Sequence, residues 1–261
     1  MSSNSCTLER SRPEQAAAAS AQLLLLAGLV AAFGLGPVGV LVGVVYAGSL
    51  LGLLSAAMQR AGRSALGPAD YVTLARALLV GGVTALVAED LLLGWTARPA
   101  LAALAAVALV LDAVDGKVAR RTGTVSPVGA RFDMEVDAFL VLVLSVHVAG
   151  ILGPWVLAIG AMRYVYVAAG WVLPWLRGPV PPSYIAKTVA AVQGVVLAVV
   201  SAQLLPNAVA VVLVAAAQLL PDPVTVTLVA SALALLAWSF GRTVLRLWQV
   251  ARADQPVLST D

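Results

Sequence analysis

Four aspartates near the middle of the chain have the residue type and spacing that metal-assisted chemistry requires. Asp112 and Asp115 are three residues apart, and Asp133 and Asp137 are four residues apart. Residues at these spacings share one face of a helix, so each pair presents two carboxylates together. Long apolar segments flank both pairs, and carboxylates at the end of a membrane helix are costly to bury unless cations compensate them. The pattern therefore predicts bound metal ions.

The linker between the two pairs contains residues that reverse a chain. Gly123, Pro127 and Gly129 precede Asp133, and such residues favour turns. Two antiparallel helices would then bring the carboxylate pairs face to face. Ligands that offer only oxygen suit Mg²⁺ or Mn²⁺, and two such ions can clamp a phosphoryl group and its leaving oxygen. We therefore interpret the four aspartates as a phosphoryl-transfer site.

Two other classes of membrane protein also use acidic side chains. The main alternative is a carboxylate-lined ion or metal transporter, but transport predicts acids at mid-membrane depth in several helices. Here the four aspartates gather at one helix-helix junction. A membrane prenyltransferase is the other alternative, and such enzymes carry denser motifs, whereas this sequence has no two adjacent aspartates. The spacing alone leaves both alternatives open.

The composition is that of a polytopic membrane protein. Of the 261 residues, 61% are hydrophobic and 11% are charged, whereas soluble domains are roughly 45–50% apolar and about 25% charged. We predict an all-α fold with eight spans, because a spanning helix needs about 20 residues. The predicted segments are Ala16–Phe33, Pro37–Met58, Tyr71–Ala88, Pro99–Leu111, Val136–Leu152, Trp155–Leu173, Tyr184–Leu205 and Val224–Leu247.

Two apolar segments are short for a span. We expect the helix at Pro99–Leu111 to continue through Asp112 and Asp115. Asn207–Leu219 is bracketed by prolines, and the sequence leaves open whether it spans, re-enters or lies on the membrane. The single cysteine, Cys6, excludes an intrachain disulfide.

The basic residues predict the orientation of the chain. With the N-terminus in the cytoplasm and eight spans, the loops on the opposite side contain only Arg98 among the Lys and Arg residues. Cytoplasmic loops carry an excess of these residues. We therefore expect a multi-pass protein of the cell membrane, with both termini and the aspartate motif in the cytoplasm.

The aspartate region resembles the signature of a known family. The signature D-x2-D-G-x2-A-R-x8-G-x3-D-x3-D belongs to the CDP-alcohol phosphotransferases, also called CDP-alcohol phosphatidyltransferases. Every fixed position is present at the right spacing. These positions are Asp112, Asp115, Gly116, Ala119, Arg120, Gly129, Asp133 and Asp137. The resemblance extends over a six-helix core, about Asp70 to Leu247, and the first two helices look like an addition to that core.

The resemblance implies a reaction and roles for the motif. Family members transfer a substituted phosphate from a CDP-linked donor, commonly CDP-diacylglycerol, to an alcohol in phospholipid biosynthesis, and CMP is released. Two divalent ions, Mg²⁺ or Mn²⁺, are held around the donor diphosphate. By resemblance, Asp112, Asp115 and Asp133 are metal ligands, and Asp137 is both a ligand and the general base. The positions that line the CDP site are Gly116, Ala119, Arg120 and Gly129.

Three residues at the start of the third span give a weaker signal. The family often has a polar residue, Thr and Arg in this region, so Asp70 and Thr73 are candidates for contact with the nucleotide. The alternative is that Asp70 caps the helix and that Arg76 extends its side chain to the membrane surface.

The acceptor site is the least determined part of the sequence. Arg121, Arg131, Arg163 and Lys187 are candidates to bind an acceptor phosphate, which slightly favours a phosphorylated polyol over serine or a lipid alcohol. Such residues also attract anionic headgroups, and Arg163 is alternatively the buried partner of a motif aspartate. The only histidine, His147, is about 15 Å along the helix from Asp137, so we predict a packing role.

The organisation along the chain has four parts. We predict a polar cytoplasmic tail (1–15), an extra N-terminal helical hairpin (16–63), the transferase membrane domain (64–250) and a C-terminal tail (251–261). The pairs Gly39/Gly43 and Gly48/Gly52 on the second span could permit close helix packing or dimerisation. Family members are commonly homodimers, and we expect no nucleic-acid partner.

Overall fold

The structure is a computed structural model, and it describes residues 3–62, 66–95, 97–122, 127–178, 184–201 and 222–253. Within these ranges every regular element is helical. The helices are α1 (Ser3–Phe33), α2 (Pro37–Arg60), α3 (Pro68–Leu93), α4 (Arg98–Thr122), α5 (Pro127–Leu152), α6 (Leu157–Val172), α7 (Tyr184–Ser201) and α8 (Asp222–Ala253). Short 3₁₀ helices at Pro154–Val156 and Pro174–Arg177 precede and follow α6.

Six of the described helices are long and apolar enough to cross a membrane, so the prediction of a polytopic helical membrane protein is confirmed. They contain the segments Glu14–Phe33, Pro37–Arg60, Pro68–Leu93, Gly129–Leu152, Pro154–Val172 and Val226–Arg252. The apolar part of α7, Thr188–Ser201, is shorter.

Two helices differ from the predicted segments at their ends. As expected, α4 does not stop at Leu111 but continues through the first aspartate pair to Thr122. The first helix begins at Ser3 and not at Ala16, so residues 3–15 of the predicted tail are helical. The segment Asn207–Leu219 lies outside the described residues.

Proline and glycine set the ends of the first three helices. Pro37 and Pro68 are the first residues of α2 and α3. Proline is favourable there because the N–H that it lacks would have no partner within the helix. Gly34 follows α1 with φ +72° and Gly94 follows α3 with φ +67°. Both values lie in the left-handed region that glycine adopts without a steric penalty.

The central helix of the bundle is α3. Its apolar window is 61% buried, against 22% for α1 and for α2. It packs against α1, α2, α4 and α5, and Ala77, Val80 and Val83 are fully buried in the core. Helices α4 and α5 contribute Leu101 and Leu144 to the same core. A displacement of α3 would therefore disturb four neighbours at once.

Helix α2 approaches α3 through one of the two predicted glycine pairs. A Cβ added at Gly39 would lie 2.8 Å from the Ala85 carbonyl oxygen, and one at Gly43 would lie 3.3 Å from the Ala85 Cβ. In contrast, a Cβ at Gly48 or Gly52 would meet nothing within 4 Å. Close packing inside this bundle therefore uses the first pair.

A buried carboxylate fixes the start of α2 to α3. Glu89 is only 3% exposed, and its Oε2 accepts a hydrogen bond from the Gly39 N–H at 2.5 Å. This N–H is in the first turn of α2, where backbone donors lack helical partners and the helix dipole favours a negative charge. Glu89 thus ties α2 to α3 at the end of α3 that is farthest from Arg76.

The two glycine pairs give a matched test of this packing. Gly39→Ala should lower the free energy of unfolding by about 1–3 kcal/mol, because its Cβ overpacks the α2–α3 contact. Gly48→Ala should change it by less than about 1 kcal/mol, since alanine is the better helix former and has room. Reversible unfolding of both variants in the same detergent measures the difference. Equal stability of the two would contradict the packing described here.

Candidate active site

Three of the four motif aspartates meet next to α3, against which α4 and α5 both pack. Asp112 is on α4, and Asp133 and Asp137 are on α5. One carboxylate oxygen from each residue lies within 4.8 Å of the others. The three side chains are between 35% and 42% exposed, so the group has an accessible side. Such a set of acceptor-only oxygens needs positive charge to be stable.

Part of that charge comes from Arg76 on α3. Its Nη1 donates to Asp112 Oδ1 at 2.5 Å, and its Nη2 donates to Asp133 Oδ1 and lies 3.1 Å from Asp137 Oδ1. The same Nη2 also donates to the Asp133 backbone carbonyl at 3.2 Å. Arg76 has no exposed surface. The cation therefore lies behind the carboxylates, on the side opposite their exposed face.

This geometry rules out the alternative that Arg76 extends its side chain to the membrane surface. The signal in the sequence was a single basic residue inside a largely apolar helix, three residues after Thr73 and six after Asp70. A buried guanidinium is always charged and is tolerated only when carboxylates surround it. The sequence did not reveal which carboxylates those are.

The predicted alternative for Arg163 was an ion pair with a motif aspartate, and the structure assigns that pairing to Arg76. Arg163 instead donates through Nη2 to Glu135 Oε1. Glu135 is on α5 between the two motif aspartates, and its side chain is 56% exposed. Its position two residues from each aspartate places it on another face of the helix.

Asp70 and Thr73 lie at the start of α3, on the helix face that leads to Arg76. Asp70 Oδ2 accepts a hydrogen bond from the N–H of the N-cap residue Gly67 at 2.9 Å, so the alternative that Asp70 caps the helix is confirmed. Thr73 Oγ1 donates to the Ala69 carbonyl at 3.3 Å. Both residues are about 5% exposed or less. Their contact with a nucleotide stays a prediction.

The remaining predicted site residues are only partly described. Gly129 is half-buried in the first turn of α5, and Arg131 is exposed. The other predicted residues are in helices whose backbone is described, but their side chains lie outside the described part. These are Asp115, Gly116, Ala119, Arg120 and Arg121 in α4, and Lys187 in α7.

Two polar residues away from the aspartates have structural partners. His147 is 4% exposed, and its Nδ1 lies 3.1 Å from Asp90 Oδ2 on α3, which agrees with a packing role. Gln193 on α7 is buried, and its Nε2 donates to the Ala232 carbonyl of α8 at 2.5 Å. Neither residue belongs to the aspartate cluster.

The comparison with protein families agrees with this geometry. A family model described as CDP-alcohol phosphatidyltransferase matches residues 66–238, which is well over half of the chain, so the chain belongs to this family. The match includes the helices that carry the aspartates and Arg76. Helices α1 and α2 end before residue 66, as predicted for an addition. Searches of curated proteins and of solved structures gave no significant match.

Membership defines the protein as a membrane transferase that uses a CDP-linked donor and an alcohol acceptor. Family members use divalent metals, and the cluster fits such an ion. It offers three carboxylate oxygens, the ligand type that Mg²⁺ and Mn²⁺ prefer, on a partly exposed face. Its contacts with Arg76 show that the same oxygens already converge on a positive charge.

The position of Arg76 predicts opposite effects on stability and on metal affinity. Without divalent ions, Arg76→Met should lower the free energy of unfolding by about 3 kcal/mol, the low end for a broken buried ion pair, because the remaining carboxylates are partly exposed. The same change should tighten Mn²⁺ binding about tenfold, since a competing charge is removed. Unfolding in EDTA and titration calorimetry with Mn²⁺ measure the two effects.

The matched control is Arg163→Met, which breaks the more exposed pair with Glu135. Such a pair contributes roughly 0–1 kcal/mol, so both measurements should stay close to those of the unchanged protein. If Arg76→Met behaved like Arg163→Met, the assignment of Arg76 as the buried counter-ion of the cluster would be wrong.

Proposed function

We propose that the protein transfers a phosphatidyl group from CDP-diacylglycerol to an alcohol and releases CMP, as a step in phospholipid biosynthesis. The observation that carries this proposal is the meeting of Asp112, Asp133 and Asp137 at one point within the family region. A CDP-linked donor has a diphosphate that needs such a cation-holding group, and an acceptor hydroxyl needs a base beside it.

In this proposal Asp112, Asp115 and Asp133 hold two divalent ions with the help of Asp137. When bound, these ions neutralise the donor diphosphate and stabilise CMP as the leaving group. The buried Arg76 competes with these ions for the carboxylates and so weakens metal binding, but it keeps the carboxylates of two helices at a fixed separation before substrate arrives. The accessible face of the cluster is then the side from which the donor approaches.

We assign the general base to Asp137. Its contact with Arg76, at 3.1 Å, is longer than the 2.5 Å contact of Asp112, and its side chain is the most exposed of the three. One carboxylate oxygen would accept the proton of the acceptor hydroxyl. The acceptor oxygen then bonds to the phosphorus of the phosphatidyl group, and the bond from that phosphorus to the CMP oxygen breaks.

The nucleotide half of the site follows from the family positions. Gly116, Ala119, Arg120 and Gly129 would line the CDP site, where small residues let the donor approach the backbone. Asp70 and Thr73 lie on the face of α3 that continues to Arg76, which supports a contact with the cytidine part of the donor.

For the acceptor we propose a phosphorylated polyol. Arg131 and Arg163 are on α5 and α6 and are described; with Arg121 and Lys187 they would supply the positive charge. An arginine binds phosphate through two parallel hydrogen bonds, and Arg163 would exchange the Glu135 carboxylate for the acceptor phosphate. The distribution of Lys and Arg supports a site on the cytoplasmic side of the cell membrane, and we expect a homodimer.

The sharpest test of the catalytic assignment is Asp137→Asn. This change removes the base but keeps the size of the side chain, so transfer should fall by on the order of 10²–10⁴-fold, while binding of CDP-diacylglycerol stays largely intact. CMP release and equilibrium binding of the donor are measured on the same preparation.

The matched control is Glu135→Gln, two residues away on another face of α5. It also neutralises a carboxylate, yet Glu135 makes no contact with Asp112, Asp133 or Asp137 among the contacts of the described residues. At a saturating concentration of the acceptor, CMP release should stay within about twofold of that of the unchanged protein, as for a surface change. An equal loss of donor binding and turnover in Asp137→Asn would rule out its assignment as the base.

A further inference from the structure

The N-terminal hairpin, which consists of α1 and α2, lies outside the residues that match the family. It nevertheless reaches the helices that carry the active site. Tyr46, in the middle of α2, contacts α3 at Ala77, the residue after Arg76 in the sequence. The contacts of this side chain indicate a role for the hairpin that does not follow from family membership.

The hydroxyl group of Tyr46 is bonded to the backbone of α3. It donates to the Ala77 carbonyl at 2.9 Å. Ala77 is fully buried and directly follows Arg76. The bond is partly buried, and a hydrogen bond shielded from water is stronger than one in water, so leaving its donor unpaired is costly. The bond therefore fixes the height and rotation of α3 at the residue next to the guanidinium.

The ring of Tyr46 contacts two helices of the site. On α3 it packs over Gly81, where an added Cβ would lie 2.7 Å from the Tyr46 Cδ1. On α5 it meets Phe139, with 5.5 Å between the ring centroids. Phe139 follows Asp137 by two residues. One side chain of the hairpin thus sets the distance between the helix of Arg76 and the helix of Asp133 and Asp137.

Further contacts hold the hairpin in place. The hydroxyl group of Tyr71, at the start of α3, donates to Glu14 Oε1 on α1 at 2.6 Å. Within the hairpin, Gln15 Nε2 donates to Ser55 Oγ at 2.8 Å. Glu89 anchors the start of α2 at the other end of α3. Because these contacts fix α2 both before and after Tyr46, the Tyr46 side chain acts as a rigid spacer and not as a mobile contact.

We propose that Tyr46 is a positioning residue that holds Arg76 against Asp112, Asp133 and Asp137, and that this is the role of the N-terminal hairpin in the enzyme. Catalytic groups must be placed within about 0.5 Å, and a misplacement of about 1 Å can cost 10²-fold in rate. A side chain packed between α3 and α5 can change the placement of the catalytic groups without touching substrate. The consequence for turnover rests on the proposed function, whereas the consequence for metal affinity does not.

A double-mutant cycle with Arg76 tests the proposal. Tyr46→Leu should loosen Arg76 from the carboxylates, and the Kd for Mn²⁺ should then fall about threefold, within the usual range of coupling between neighbours. Tyr46→Phe keeps the ring and should give a smaller fall. In the Arg76→Met background, both changes should leave the Kd unaltered. Calorimetry with Mn²⁺ at a temperature where every variant is folded gives these values.

The control is Ser49→Ala, since Ser49 is exposed on α2 and, among the described residues, its hydroxyl group donates to the Val45 carbonyl of its own helix at 2.8 Å. A purely structural role for Tyr46 would lower thermal stability without a change in Kd that depends on Arg76. Unaltered Mn²⁺ affinity in Tyr46→Leu, or the same change with Arg76→Met, would overturn the proposal. So would a lack of Mn²⁺ binding by the unchanged protein.

Measurement of CMP release on the same variants separates this proposal from the proposed function. We expect Tyr46→Leu to lower kcat about tenfold with the donor KM little changed. If the unchanged protein released no CMP while Mn²⁺ affinity still depended on Tyr46 through Arg76, the positioning role would stand and the proposed reaction would fail.

Discussion

Ion pairs from Arg76 to Asp112, Asp133 and Asp137 join α3, α4 and α5 at the candidate site. A guanidinium with no exposed surface keeps its charge and must be matched by carboxylates nearby. Asp112 on α4 and Asp133 and Asp137 on α5 provide that match, so three helices have to meet at one point. Conversely, three carboxylates within 4.8 Å would repel one another without a cation between them. The site and the junction of the helices therefore stabilise each other.

The burial of α3 follows from this requirement. Arg76 meets the aspartates from a helix that packs against α1, α2, α4 and α5, and α3 is the most buried of the six apolar helices. The contacts of α2 with α3 are made at Gly39 and Gly43, where the backbones approach closely, and at Tyr46. The hairpin that precedes the family region is thus part of the packing that supports the site.

The class of fold, and the shared helix face of Asp133 and Asp137, could be predicted from the sequence because their signals are local. Apolar length identifies membrane helices, and the spacing of Asp133 and Asp137 places them on one helix face. The partner of Arg76 could not be predicted in this way, because Asp112 is 36 residues away in the sequence and the pairing depends on how three helices pack. For the same reason the sequence allowed an ion pair between Arg163 and a motif aspartate, whereas the partner of Arg163 is Glu135. A spacing rule gives the face of a helix but not the helix that it meets.

The proposed reaction is tested most directly by CMP release from the purified protein with CDP-diacylglycerol, measured over a set of alcohols with Mg²⁺, with Mn²⁺ or with EDTA. The set contains inositol phosphate, glycerol phosphate, serine and a lipid alcohol. We expect metal-dependent release with one acceptor, of the phosphorylated polyol class, and none in EDTA. If the protein neither bound the CDP-lipid nor released CMP with any acceptor, the proposed reaction would be wrong.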